Sequence, residues 1–272
     1  MYQTTYHRPA TVAEAAALFA KGEDAKYLAG GHTLIPVMKQ RLAGPSDVID
    51  LARIKELVGI SASAEALTIK AATTYFDIMQ NNDVAKAIPA LAHLTSVLGD
   101  PAVRHRGTIG GSIANNDPAA DFPAALLALG ATVRTNKRSI AADDFFTGLF
   151  STALDAGEII TEVSFPIPAK AAYEKFRHPA SRFALTGVFV AKAKNGDVRV
   201  AATGAGENGA FRVGAMESAL KANWSAAALD AVTVPAAGLL RDLHRSPPPT
   251  AKLHKGGGQN AVPPPGETKP PG

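Results

Sequence analysis

The chain contains no cysteine. That excludes a disulfide, a thiol nucleophile and thiolate ligands for an iron–sulfur cluster, so any cluster chemistry connected with this protein belongs to another chain. Long apolar runs are missing too. The longest, Pro123 to Val133, contains a proline and a glycine and falls short of the roughly 20 residues that a membrane helix needs. Residues Met1 to Pro9 lack the apolar run of a secretory signal, so the expected compartment is the cytoplasm. A concentrated charge of one sign is absent as well. The net charge of +4 is scattered, and part of it lies near the C-terminus as Lys252, Lys255 and Lys269 against Glu267. No basic patch with interleaved aromatics forms, and nucleic-acid binding is not expected.

What remains is a chain of 272 residues, 46% hydrophobic, with material for one large domain or two to three compact ones. Thr11 caps a predicted helix through Val12, Ala15, Ala16 and Phe19, and residues 26–29 read as a short strand. Leu34, Val37, Met38 and Leu42 have helical spacing, Gly44-Pro45 stops that helix, and residues 47–51 read as the next strand. A second unit starts near Leu57, with a strand at 67–71, helices near 76–80 and 89–98, and strands at 132–134 and 159–165. Asp121 is predicted to cap a helix over 122–129 that carries Pro123 in its first turn and ends at Gly130. After Pro166 and Pro168, strands at 173–177, 187–194 and 198–203 precede a helix at 213–220, and Asn195-Gly196 marks a hairpin. Residues 246–272 hold eight prolines and five glycines and are predicted to be disordered. The expected boundaries are 1–56, 57–168, 169–245 and 246–272.

Two glycine pairs carry the chemistry. In Ala29-Gly30-Gly31-His32-Thr33-Leu34 a strand ends, two glycines permit positive φ and close backbone approach, and a helix begins with free N–H groups. An ordinary strand-to-helix turn has the same form. Thr108-Ile109-Gly110-Gly111-Ser112 again joins glycines to hydroxyl residues, so that amides and hydroxyls can reach a phosphate. Neither matches the Walker pattern, and two such loops in one chain point to a diphosphate ligand held between two subdomains. Asp121 can bond ribityl or ribose hydroxyls besides capping its helix. Gly204-Ala205-Gly206-Glu207-Asn208-Gly209 fits the dinucleotide fingerprint, yet too little chain follows for the remaining parallel strands. A β-to-helix loop is the better reading. His32 is assigned a neutral hydrogen-bonding or helix-entry role, and one of Arg104, His105 and Arg106 is expected to complement ligand charge.

The stretches 29–36, Ala72-Thr73-Thr74, 104–112, Asp117-Pro118-Ala119-Ala120-Asp121 and 173–182 resemble the medium, FAD-binding subunit of molybdenum hydroxylases, the aerobic carbon monoxide dehydrogenase and xanthine dehydrogenase type. The resemblance runs in order over about residues 1–245. It implies an α+β chain: the two-subdomain FAD-binding fold of the vanillyl-alcohol oxidase and p-cresol methylhydroxylase type, followed by a small C-terminal α+β domain. It implies that Ala29, Gly30, Gly31, His32 and Thr33 with Thr108, Ile109, Gly110, Gly111 and Ser112 hold the pyrophosphate. Asp121 would bind a flavin-side hydroxyl, Lys175 would lie near the isoalloxazine, and Leu98 and Thr161 match weaker contact positions. Ser112 replaces the asparagine or aspartate common in the family. No catalytic side chain and no metal ligand is assigned. Such subunits continue past the segment matching 239–244 into an amphipathic helix, where this chain turns to Ser246-Pro247-Pro248-Pro249. The resemblance thus implies a divergent or frame-shifted end, with which the third domain is expected to lose apolar cover.

The resemblance further implies noncovalent FAD, with the molybdenum cofactor and 2Fe-2S clusters on partners: an iron–sulfur small subunit and a molybdopterin large subunit, as a dimer of heterotrimers. Electrons would pass from those clusters through FAD to a quinone, NAD or oxygen. Two alternatives stand beside it. A stand-alone FAD oxidase of a small substrate would need a base over the flavin, for which the sequence offers no clear residue. A non-redox module that has lost flavin would not need intact glycine pairs.

Overall fold

The computed structural model describes residues 1–204, 206–234, 239, 256–259 and 261–262. The architecture is α+β, and its three larger sheets follow one another along the chain. The first is built from β1 (Thr5–His7), α1 (Val12–Lys21), β2 (Ala25–Leu28), α2 (Leu34–Lys39) and β3 (Asp47–Asp50), paired in parallel in the order β1-β3-β2. The α1 helix starts as predicted, because Thr11 Oγ1 accepts the Glu14 amide at 3.1 Å. The α2 helix stops earlier than its apolar spacing predicts. Arg41 turns to a φ of 60° and the Leu42 amide bonds back to the Val37 carbonyl at 3.0 Å, a helix-ending turn that leaves Leu42 in solvent.

The second sheet is antiparallel, in the order β4-β5-β10-β6-β7. It contains β4 (Ile60–Ala62), β5 (Ala66–Lys70), β6 (Thr132–Thr135), β7 (Ser139–Ala141) and β10 (Ile160–Pro166), and a small hairpin of β8 (Phe146–Gly148) and β9 (Ser151–Thr152) lies beside it. Between β5 and β6 run α3 (Tyr75–Gln80), α4 (Asn82–Ala87), α5 (Pro89–Ser96), α6 (Pro101–Arg106), α7 (Ile109–Asn115) and α8 (Asp121–Leu129), and α9 (Ala142–Phe145) follows β7. Helices α4, α6 and α7 are missed by sequence periodicity because each has only six or seven residues. Their caps start them: Asn81, Asp100 and Thr108 each accept an amide of the first turn. Asp121 does not cap α8 as predicted. Ala120 holds the cap position without a side-chain bond, and Asp121 lies in the first turn with its carboxylate engaged elsewhere. All nine residues of α8 are buried, the mark of a helix covered on every side.

That cover comes from the third sheet, β11 (Lys170–Arg177), β12 (Ala184–Lys192), β13 (Val198–Thr203) and β14 (Phe211–Arg212), antiparallel in chain order. Phe189 and Ala201 join the core around α8, while Val188, Val190 and Val200 face Met216 and Leu220 of α10 (Gly214–Ala222) on the other side. The glycines of 204–209 lie in the β13–β14 connection between antiparallel strands, so the dinucleotide fingerprint has no helix to open. Within the stretch predicted to be disordered, residues 256–259 form a helical turn, and Gln259 Nε2 donates to Asp230 at 2.8 Å. A Cβ on Gly257 would meet Val188 at 3.0 Å and one on Gly258 the Met216 sulfur at 3.0 Å. The glycines bring the backbone itself onto the sheet, a burial that a count of large apolar side chains misses, and Ala261 and Val262 extend the cover. The rest of 246–272 lies outside the described residues. Among the described residues no helix is long and apolar enough to cross a membrane.

Glu158 fixes the entry to β10. It is buried, accepts from Arg138 at 3.0 and 3.1 Å, from Thr135 at 2.6 Å and from the Asp155 amide at 2.8 Å. The Arg138 bonds, then those of Thr135 and Asp155, outweigh burial and hold its carboxyl down at about 2. Because the folded value lies below the unfolded one, this stabilisation is complete above about pH 4.5 and is lost as pH falls toward 2. Glu158→Gln is expected to cost about 2 kcal/mol at neutral pH, since it removes charge-assisted bonds from a buried site, and to flatten the fall in melting temperature across that acid range.

Candidate functional site

The chain leaves β2 and turns through Ala29, Gly30, Gly31, His32 and Thr33 into α2. Gly31 has a φ of +77°, which side chains rarely adopt. Among the described residues, none accepts from the amides of Gly30, Gly31, His32 or Thr33. Four successive N–H donors thus remain available to an acceptor from outside the chain, which is the composition of an anion-binding nest.

The second loop lies directly against the first. A Cβ on Gly30 would stand 2.3 Å from the Arg106 carbonyl oxygen and 2.8 Å from Gly107 Cα, and one on Gly111 would stand 3.8 Å from Ala29 Cβ. Missing side chains let the two backbones touch. Within 108–112 the amides are used otherwise than expected. Ile109 donates to the Thr73 carbonyl at 3.3 Å, Gly110 to Ala71 at 2.9 Å, Gly111 to Thr108 Oγ1 at 3.1 Å and Ser112 to the Thr108 carbonyl at 3.0 Å. They are engaged because the segment is the first turn of a capped helix whose entrance is locked by a Thr74–Thr108 bridge. This loop therefore offers an exposed Gly111 backbone rather than a second set of free amides, since Thr108 is buried with its Oγ1 on the Gly111 amide and the Ser112 hydroxyl bonds the Tyr75 phenol.

Leu98 lies just past α5, and its carbonyl accepts from Arg104 Nη1 at 3.0 Å. Arg104 thus serves the local turn, and His105 stacks on Phe76 with ring centroids 4.1 Å apart. Of the basic run, the Arg106 backbone is what meets the first loop. Thr161 sits on β10. Its hydroxyl donates to the Arg134 carbonyl at 3.2 Å, and its own carbonyl accepts the Ala71 amide at 2.9 Å, one peptide away from the bond that seats Gly110.

Asp121 and Lys175 come together from α8 and β11. Lys175 Nζ lies 2.9 and 3.0 Å from the two carboxylate oxygens, and both side chains are almost wholly buried, at 2% and 5% exposure. The Tyr173 hydroxyl donates a short third bond to the same carboxylate. Burial pushes the Asp121 carboxyl up, and Lys175 and Tyr173 oppose it. Burial first, and then the Asp121 charge, hold the Tyr173 phenol well above its ordinary range. Tyr75, also buried, is raised to about 12 by burial and by Asp121, with the Ser112 hydroxyl acting against them. Its ring fills the space a Gly107 side chain would need and stacks on Phe122. Thr203 Oγ1, on β13, donates to the Ala120 carbonyl at 2.6 Å and to Pro118 at 3.0 Å. Tyr75, Tyr173 and Thr203 are the site neighbours that sequence reading misses. Only Tyr173 carried a usable signal, two residues before Lys175 on one strand and so on the same face.

One glycine turn with four free amides, closed against a second glycine turn whose amides are spent, is the kind of backbone cradle that suits the diphosphate of a flavin nucleotide. Residues 2–168 match the family described as the FAD binding domain in molybdopterin dehydrogenase. The chain belongs to that family and is an FAD-binding component of an oxidoreductase. It is 39% identical over 206 residues to the carbon monoxide dehydrogenase medium chain of Afipia carboxidovorans, covering 73% of this chain and 72% of the relative. Solved structures agree. Reconstituted CO dehydrogenase from Oligotropha carboxidovorans superposes with a TM-score of 0.86 at 32% identity, covering 96% of each chain. Quinoline 2-oxidoreductase from Pseudomonas putida 86 gives 0.84 at 30% identity, over 96% of this chain and 95% of that one.

The unpartnered amides of 30–33 and the side-chain-free cradle at Gly30 and Gly111 fit an FAD pyrophosphate. Gly30→Ala is expected to force the loops apart and lower FAD affinity at least tenfold, at a cost of about 1–3 kcal/mol in stability. Gly111→Ala makes one tight contact, with Thr108 Oγ1 at 3.0 Å, and should keep the melting temperature while weakening FAD retention. Flavin absorbance per protein and thermal melts check both.

Proposed function

We propose that this chain is the electron-transferring FAD subunit of a molybdenum hydroxylase, passing electrons from the iron–sulfur clusters of a partner subunit to an external acceptor. The observation that carries the reading is the run of four unpartnered amides at Gly30–Thr33, closed against the Gly111 loop. When bound, FAD supplies the redox chemistry, accepting and releasing electrons, and the protein positions it. In this reading 1–56 and 57–168 are the two halves of the FAD fold, and 169–245 is a third domain that contributes Lys175. The 30–33 amides take the pyrophosphate oxygens, with the Gly111 backbone opposite. Asp121 accepts from a flavin-side hydroxyl through its remaining lone pairs, Lys175 sets the charge beside the isoalloxazine, and Leu98 and Thr161 hold the backbone around it.

A chain without cysteine has no thiolate ligands for clusters of its own, so the clusters and the molybdenum cofactor are assigned to a small and a large partner subunit, in a cytoplasmic dimer of heterotrimers. The relatives' names as medium chains support that division. Purified with its partners, the protein is expected to be yellow, with about one FAD per chain, and to bleach when the complex's own substrate is added. Bleaching of the chain by a small substrate in the absence of partners would instead establish a stand-alone oxidase.

A further inference from the structure

Residues 173 and 175 lie beyond the 2–168 segment that matches the FAD-binding family, yet both close on Asp121. Tyr173 is 2% exposed and projects from the same face of β11 as Lys175. Its hydroxyl occupies a gap on the neighbouring strand: a Cβ on Gly187 would stand 2.3 Å from it. The gap holds the hydroxyl where it donates to Asp121, while Lys175 spans both carboxylate oxygens. Thr203 Oγ1 and the Gly204 amide hold the preceding peptides through the Pro118 and Ala120 carbonyls. The third sheet thus fixes both position and charge at the start of α8.

We propose that Tyr173 is a positioning residue of the flavin site, acting through Asp121 to hold the Lys175 ammonium in a charge-balanced pair and so to set the redox poise of the flavin. The proposal rests on the reading above that Asp121 and Lys175 serve the flavin. Asp121 gains from Tyr173 a donor that burial denies it from water. With the hydroxyl gone, the buried carboxylate loses a donor that stabilises its ionised form and takes up a proton from solvent more readily, which leaves the ammonium uncompensated. Reduced flavin is richer in electrons than oxidised flavin, and uncompensated positive charge nearby favours it.

The test compares Tyr173→Phe, Gly187→Ala and Asp121→Asn with the parent in the purified complex, each equilibrated with the same redox dye couple at one pH. Flavin content and melting temperature are read alongside. Tyr173→Phe is expected to keep its flavin and to raise the reduced-to-oxidised flavin ratio at least threefold. Gly187→Ala, which displaces the hydroxyl without removing it, should do the same, and it decides the matter if the Phe variant fails to assemble. Asp121→Asn should shift the ratio further in that direction. An unchanged ratio in Tyr173→Phe or, if that variant fails to assemble, in Gly187→Ala, with a shifted ratio in Asp121→Asn, overturns the role of Tyr173 alone. An unchanged ratio in Asp121→Asn, or a parent complex without flavin, overturns the assignment of Asp121 and Lys175 to the flavin, and the proposal with it.

Discussion

The backbone of Gly30 rests on the Arg106 carbonyl, with 2.3 Å between that oxygen and the place a Cβ would take. The rest of the site depends on this contact. It joins a turn of the parallel sheet to the junction of α6 and α7, two segments more than 70 residues apart. Closing them brings Ala29 opposite Gly111 and sets the first loop against the second glycine turn. Any side chain at Gly30 would meet the Arg106 carbonyl and Gly107 Cα and force the two backbones apart.

Each loop is held from behind by a different device. The first follows a parallel strand, and its amides stay free because Gly31 bends the chain before α2 can use them. The second is seated by backbone bonds to Ala71 and Thr73 and by the Tyr75 ring under Gly107. The two loops are therefore unequal partners. One keeps its amides free, and the other spends its amides and gives a close backbone approach.

Behind them lies α8, whose burial on all sides makes its first turn a costly place for charge. Asp121 is tolerated there because β11 delivers Lys175 and Tyr173 to it, and β13 delivers Thr203 to the peptides before it. Removing one member of such a pair typically costs about 3–5 kcal/mol. The third sheet thus neutralises the start of the helix as well as covering it.

The glycine pairs, the Thr11 cap, the Asn195-Gly196 hairpin, the Gly130 stop and the absence of cysteine were legible in the sequence, since each is a local rule of backbone geometry or chemistry. So was the alternation that defines the long strands. Periodicity could not reveal α4, α6 and α7, which are too short to repeat a pattern, nor that α2 ends before Leu42, nor that Ala120 rather than Asp121 holds the cap of α8. Glycine content gave no sign of the helical turn at 256–259, where the absence of side chains lets Gly257 approach Val188 and Gly258 approach Met216. Which amides remain free and which are spent was decided by tertiary structure alone. So was the meeting of Asp121 with Tyr173 and Lys175, because a hydrogen-bond partner more than 50 residues away leaves no trace in local spacing.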